Sequence, residues 1–305
     1  MRDVKRVVGI IACCGVVAAW YFGALRPVRD VSQEVQTLLA QAEIIHGQGD
    51  HDRAIQLYDA VLDLNSTVVV AWNNRGAAWQ SKGDHERALS DFNEAIRLAP
   101  ENVDAYNNRG LAWMRLGEFD KAMADYDTAI FLQPTLAAAF SNRGTAWAAQ
   151  GELERAIEDL TEAIRLQPDS PLPYGGRAVA WQQMGERERA IEDFGEVIRL
   201  QPDDAERYFD RGSLLQALHE YERAISDYDE LLRLKPDAVV GYHNRAVCKS
   251  AMGDYEAAIQ DYEEALRLKP DFAPAYGARG QTWEAMGEHA KAEEDRRRFR
   301  ELTGH

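Results

Sequence analysis

The sequence predicts an all-α protein: an array of antiparallel helix pairs stacked as a solenoid, preceded by one N-terminal transmembrane helix. Three observations carry this. Pro100, Pro134, Pro168, Pro202, Pro236 and Pro270 fall in one column at a spacing of 34 residues without a gap, and a fixed period of that size marks stacked supersecondary units. Within each period, small and aromatic residues recur three and four apart, the spacing of one helix face. Ahead of the array, Val7 to Leu25 runs nineteen residues without a charge, about one bilayer thickness at ~1.5 Å per helical residue.

In chain order, the first element is the apolar segment, residues 1–25. Arg2, Lys5 and Arg6 precede its core and Arg26 and Arg29 follow it, with Trp20 and Tyr21 near the far end, where interfacial rings sit well. We read it as an uncleaved signal-anchor. Alternatives stay open: a signal peptide with Val7 to Val17 as apolar core and Val17 and Ala19 before the cut, which would release the chain as a secreted or periplasmic protein; a lipoprotein box at "IIAC", residues 10–13, which would lipidate Cys13; or a core helix. Three basic residues before the segment against two after it favour a cytosolic amino terminus. The expected location is single-pass in a bacterial-type inner membrane, with the repeats on the periplasmic side. Residues 26–34 read as a linker.

Eight repeats follow, at 35–68, 69–102, 103–136, 137–170, 171–204, 205–238, 239–272 and 273–305. From Val69 the pattern predicts a leading helix to about Ser81, a turn at Gly83, and a trailing helix from about Asp84 to Leu98, stopped by Pro100. Position 8 of repeats two to eight is Gly76, Gly110, Gly144, Ala178, Gly212, Ala246 and Gly280, and position 20 is alanine from Ala88 to Ala292. Small residues in both columns let the two helices approach closely. Position 11 is mostly tryptophan (Trp79, Trp113, Trp147, Trp181, Trp283), and position 24 is mostly aromatic (Phe92, Tyr126, Phe194, Tyr228, Tyr262). No repeat can cover its own apolar stripe; stacking does.

These columns resemble the tetratricopeptide repeat, with "YNNRGLAW", an alanine, a tyrosine and a closing proline across residues 106–134 and the same register over residues 35–305. The resemblance implies a right-handed superhelix of helical hairpins, with a concave groove lined by the leading helices, and an activity of holding peptides or proteins. One departure is informative. Where the family usually has leucine at position 7, repeats two to eight carry arginine, and all seven carry aspartate at position 23, for example Arg109 with Asp125 and Arg143 with Asp159. The first repeat has Gln41 and Leu57 and lacks both. Columns that appear and vanish together, and that face each other across an antiparallel hairpin, predict a partly buried ion pair with a structural role.

The end repeats are atypical. Ser66 replaces the proline and Leu38 the opening aromatic of the first, and Arg296 stands where the last repeat should have an aromatic, as expected where one face meets water. "RRRFR", residues 296–300, reads as the solvated end of a capping helix.

Composition limits the partners. The net charge is −16, and beyond residue 30 there are 30 Lys and Arg against 49 Asp and Glu, near −19. Such a surface repels phosphate backbones, so no nucleic-acid partner is expected, and the membrane is reached only through the N-terminal helix. Cys248 is the one thiol beyond the leader, so the repeat body holds no disulfide framework. Seven histidines show no paired metal spacing, and glycines and carboxylates follow the 34-residue period. We therefore expect no enzyme, no catalytic residue, no metal and no cofactor.

Function is sought in the groove. Position 6 carries Asn74, Asn108, Asn142 and Asn244, and position 5 carries Asn73, Asn107, Ser141 and His243; Thr145 joins them as a groove candidate. The amide column resembles the ladder in the repeat superhelix of the nucleocytoplasmic N-acetylglucosamine transferase, where amides bind a substrate's backbone. An amide both donates and accepts, which suits an extended chain whatever its side chains. Gly176, Asp210 and Ala278 interrupt the column. Repeats that clamp chaperone carboxyl termini use groove lysines and arginines, but the matching positions here are Asp104, Asn107, Asn108 and Glu206, with Arg115 nearly alone as a cation. The expectation is a tethered interaction scaffold binding a protein or peptide for recruitment or complex assembly. A homo-oligomeric structural protein and an accessory subunit of an enzyme complex are the alternatives.

Overall fold

The computed structural model describes residues 31–304. All sixteen elements among them are helices, and no strand is present. The apolar segment Val7 to Leu25 lies outside the described residues. Among those that are described, no helix is long and apolar enough to cross a membrane.

The chain divides into two units, residues 1–125 and 126–305. In the first, Val31–Gly47, His51–Leu64, Val69–Ser81, His85–Leu98 and Val103–Arg115 alternate as leading and trailing helices, followed by the start of Phe119–Leu132. The second takes the rest of that helix and five further pairs, from Ala137–Ala149 with Leu153–Leu166 to Ala273–Ala285 with His289–Thr303. The first helix begins at Val31, so residues 31–34, expected as linker, are helical: no Gly or Pro interrupts them, and Val35 and Ala42 are buried on the face they lead into.

Each hairpin turns at position 15 on a residue with positive φ. Gly49, Gly83, Gly117, Gly151, Gly185, Gly253 and Gly287 lie between +76° and +85°, a region glycine enters without a Cβ penalty. His219 holds the equivalent place at φ 62°, with Nδ1 2.6 Å from the Tyr221 hydroxyl. Asp50, Asp84 and Asp254 then cap the trailing helices by accepting from the backbone N–H three residues on. Trailing helices end where the backbone leaves the helical region, which a following proline favours: Gln167 has φ −141° and ψ 82°, and Gln201 −136° and 77°. Asn65 does the same at φ −154° ahead of Ser66.

Close approach of the two helices explains the small columns. A Cβ on Gly76 would sit 2.7 Å from the Phe92 ring, and one on Gly144 2.8 Å from Leu160. Consecutive repeats are then tied by the position 4 aromatic, which donates to the carbonyl at position 32 of the repeat before: Trp72 Nε1 to Ser66 at 2.8 Å, Tyr208 to Pro202 at 3.2 Å and Tyr276 to Pro270 at 3.1 Å. The core of the first unit is built around Tyr58, Val61 and Phe92, and that of the second around Phe194, Tyr228, Leu231 and Tyr262. Position 11 tryptophans are half-buried, each covered by a cation at position 19 of the trailing helix: Arg87 lies 3.8 Å over Trp79 and Lys291 4.3 Å over Trp283.

Candidate functional site

The Arg/Asp columns meet in every repeat that has them. Arg109 Nε and Nη2 donate to Asp125 Oδ2 and Oδ1 at 2.8 and 2.6 Å, and Arg143 to Asp159 at 2.7 and 2.7 Å, a bidentate pair. The aspartates are buried and the arginines half-buried. Sequence reading missed the third nitrogen, which reaches position 25 of the preceding repeat: Arg75 Nη1 donates to Asp59 at 2.6 Å, Arg109 to Asn93 at 2.7 Å, Arg143 to Asp127 at 2.6 Å, Arg177 to Thr161 at 2.9 Å and Arg245 to Asp229 at 2.6 Å. One side chain therefore staples its own hairpin and docks it on the previous one. The column of hydrogen-bonding residues at position 25 was the available signal.

Leading helices leave hollows between them. In residues 1–125, a hollow of about 570 Å³ is lined by Ala77, Gln80 and Ser81 of one leading helix and by Asn108, Leu111 and Arg115 of the next. In residues 126–305, the equivalent places are a hollow of about 350 Å³ at Ser213, Gln216, Asn244 and Val247, and another of about 350 Å³ from Thr145 and Ala148 to Gly175, Gly176 and Val179. Position 6 thus sits on the rim of each.

The amides are not a row of free groups. Asn108 Nδ2 donates to Asn73 Oδ1 at 3.1 Å, Asn73 Nδ2 to Asn74 Oδ1 at 3.2 Å, and Asn74 Nδ2 to Glu43 Oε1 at 3.4 Å, a relay across three successive repeats. Asn73 is buried and Asn74, Asn107 and Asn108 half-buried. Each amide in the relay spends one of its two N–H groups, which leaves Asn108 an N–H and a carbonyl to offer. In the other unit, Ser141 and Asn142 are half-buried, Thr145 is exposed with its hydroxyl on the Ser141 carbonyl at 2.9 Å, and Asn244 reaches the Tyr228 hydroxyl at 3.4 Å. His243 packs against Phe272 and Tyr262 with centroids 5.4 and 5.8 Å away, and burial lowers its pKa. Arg115 is not alone as a cation at these hollows, since Arg207 borders the one at Gly175. Burial pushes the Cys248 thiol up to about 12, which keeps it protonated and inert. Among the described residues no group of three or more His, Cys, Asp or Glu is placed to hold a metal ion.

Family models described as tetratricopeptide repeat match residues 37–68, 80–137, 137–170, 177–239 and 239–272. The chain belongs to the tetratricopeptide repeat family. No curated protein matches it in sequence. Among solved structures with this tetratricopeptide fold, one described as a functional characterization of Pseudomonas aeruginosa pilF superposes with a TM-score of 0.59 at 20% identity, covering 72% of this chain and 97% of that one. YrrB, described as a TPR protein with an unusual peptide-binding site, gives 0.55 at 20% identity over 60% of this chain and 95% of its own. A tetratricopeptide repeat protein from Parabacteroides merdae gives 0.54 at 20% identity over 82% and 99%. Tetratricopeptide arrays typically work as non-enzymatic mediators of protein–protein interaction and peptide binding.

Proposed function

We propose that this chain is a non-enzymatic scaffold, tethered to a membrane by Val7 to Leu25, that holds an extended protein segment against its leading-helix hollows and so recruits or assembles a complex at a bacterial-type inner membrane. The observation that carries the reading is recurrence: the same hollow opens between leading helices in both units, and position 6 places an amide on the rim at Asn108 and Asn244. An amide with spare donor and acceptor capacity beside an open cleft can pair with a backbone of any sequence. The peptide-binding site described for YrrB belongs to a structure of the same fold, and we carry that activity over as part of the proposal. The N-terminal charge bias favours repeats on the periplasmic side.

The test is a photo-crosslinking amino acid at Ser81, which is exposed and lines the first hollow, with Glu158 on an exposed trailing-helix face as control. A distinct protein captured at Ser81 and not at Glu158 is the expected result. Capture at Glu158 alone, or only self-adducts, would overturn the groove reading, the latter in favour of a homo-oligomer. A topology reporter fused after His305 should read on the exported side.

A further inference from the structure

Gly175 and Gly176 are consecutive glycines inside the helix Pro171–Met184, where positions 5 and 6 of other repeats mostly hold polar side chains. Neither has a positive φ, so backbone freedom is not what they supply. Gly176 has a packing reason, because a Cβ there would stand 3.1 Å from Leu160. Gly277, at the same position as Gly175 in the last repeat, has one too, with Phe299 at 3.3 Å. Gly175 has none: its Cβ would meet nothing closer than Val197 Cγ2 at 3.9 Å. A glycine in a helix interior is destabilising relative to alanine, and what this one leaves is open space down to the buried Val197.

That space is the apolar hollow of about 350 Å³, and Leu172, 78% exposed, and Val179, 39% exposed, form its lip. Its other side is charged. Arg207 there is already engaged, with Nη1 2.8 Å from Asp210, Nε 3.4 Å from Asp204 and Nη2 3.7 Å from Glu206, and Lys235 is 3.6 Å from Glu206. Asp204 and Arg207 line the hollow itself, and around them Arg207 and Lys235 are shared among three carboxylates, Asp204, Glu206 and Asp210, while Asp203 on the same stretch interacts with Arg233.

We propose that this hollow is an anchor pocket for one large aliphatic or aromatic side chain of an extended partner segment that carries a Lys or Arg beside it, the cation lying against Asp204 and Glu206. The inference rests on the groove reading above and names the chemistry of its ligand. The apolar floor rewards burial of a hydrocarbon side chain, and the surplus of carboxylates at the charged edge selects basic neighbours and disfavours acidic ones.

Short random peptides displayed on phage, panned on the full chain in detergent, supply the probe; selected peptides are then synthesised and titrated by fluorescence anisotropy. The expected peptides share a Leu, Ile, Phe or Met close to a Lys or Arg. Gly175→Leu fills the pocket from a helical position with room for a side chain, and should weaken binding about tenfold or more while the melting temperature holds or rises. Asp204→Asn with Glu206→Gln should weaken it severalfold and flatten its salt dependence. Selected peptides without an apolar residue, or binding unchanged by Gly175→Leu, would overturn the pocket. If such peptides are instead lost on Ser81→Trp, which obstructs the hollow at Asn108, the groove reading stands without it; if panning yields no binder, both fail. Sedimentation showing a dimer of the full chain that Gly175→Leu disrupts would assign the pocket to a second copy and overturn the peptide assignment.

Discussion

Arg143 donates through three nitrogens to carboxylates on two helices, Asp159 of its own repeat and Asp127 of the one before. The Asp159 hydrogen bonds hold its guanidinium above the ordinary range against the opposing effect of burial, so it is charged at every working pH. Removing it leaves Asp159 buried without a counterion, whereas removing Asp159 leaves the guanidinium on Asp127. Arg143→Ala should therefore cost about 3 kcal/mol and Asp159→Ala less, with a coupling of about 1 kcal/mol or more in the double variant; additive losses in urea denaturation would refute the pairing. His243 gives a pH dependence. Burial lowers its pKa, as burial and the neighbouring His51 lower that of His46, so the unfolded chain binds the proton more tightly. The stabilisation from the neutral rings is present above the unfolded value of about 6.5 and is lost as pH falls below it. Melting temperatures should drop as pH falls below about 6.5, and His243→Phe should flatten part of that slope. At this scale the sequence showed which residues pair, because two columns vary together. It could not show that Asn73, Asn74 and Asn108 spend hydrogen bonds on one another, since that depends on how adjacent repeats are offset.

Between elements, the cross-repeat arm of the arginine staple is uneven. Arg211 faces Gly195 at position 25, where a Cβ would lie 3.5 Å from its Nη1 and no acceptor exists. The helices Arg187–Leu200 and Ala205–Ala217 at that junction also pack less closely than the corresponding pair His85–Leu98 and Val103–Arg115. Gly195→Asp supplies the missing acceptor and removes a glycine from a helix interior, and should stabilise by about 1 kcal/mol. Gly195→Ala bounds the propensity gain, since alanine favours the helix over aspartate by about 0.7 kcal/mol. If the aspartate variant falls below the alanine one by that full difference, the cross-repeat hydrogen bond contributes nothing. Helix limits were legible from glycine and proline punctuation to within a residue or so, as at Ser81 and Leu98. The start at Val31 was not, because the repeat register begins at 35 while the helical backbone extends beyond it.

For the whole molecule, a repeat array is stabilised by neighbours, so its end helices should open first. Val31–Gly47 buries only Val35 and Ala42, and His289–Thr303 only Ala292 and Asp295, while Arg187–Leu200 buries six residues. Native-state hydrogen exchange should be fastest in the two end helices and slowest in interior trailing helices such as Arg187–Leu200 and Tyr255–Leu268, which bury six residues each; uniform protection along the chain would show a single cooperative block instead. By itself the sequence determined the helix-pair array, its period, its turns, the staple residues and an acidic surface, because each is a column property repeated often enough to stand above noise. The tertiary structure alone decided which side chains remain available. The hollows at Asn108, Asn244 and Gly175 arise from the distance between successive leading helices, and the third is apolar because a missing side chain at Gly175 uncovers Val197, a residue of another helix that no sequence pattern connects to it.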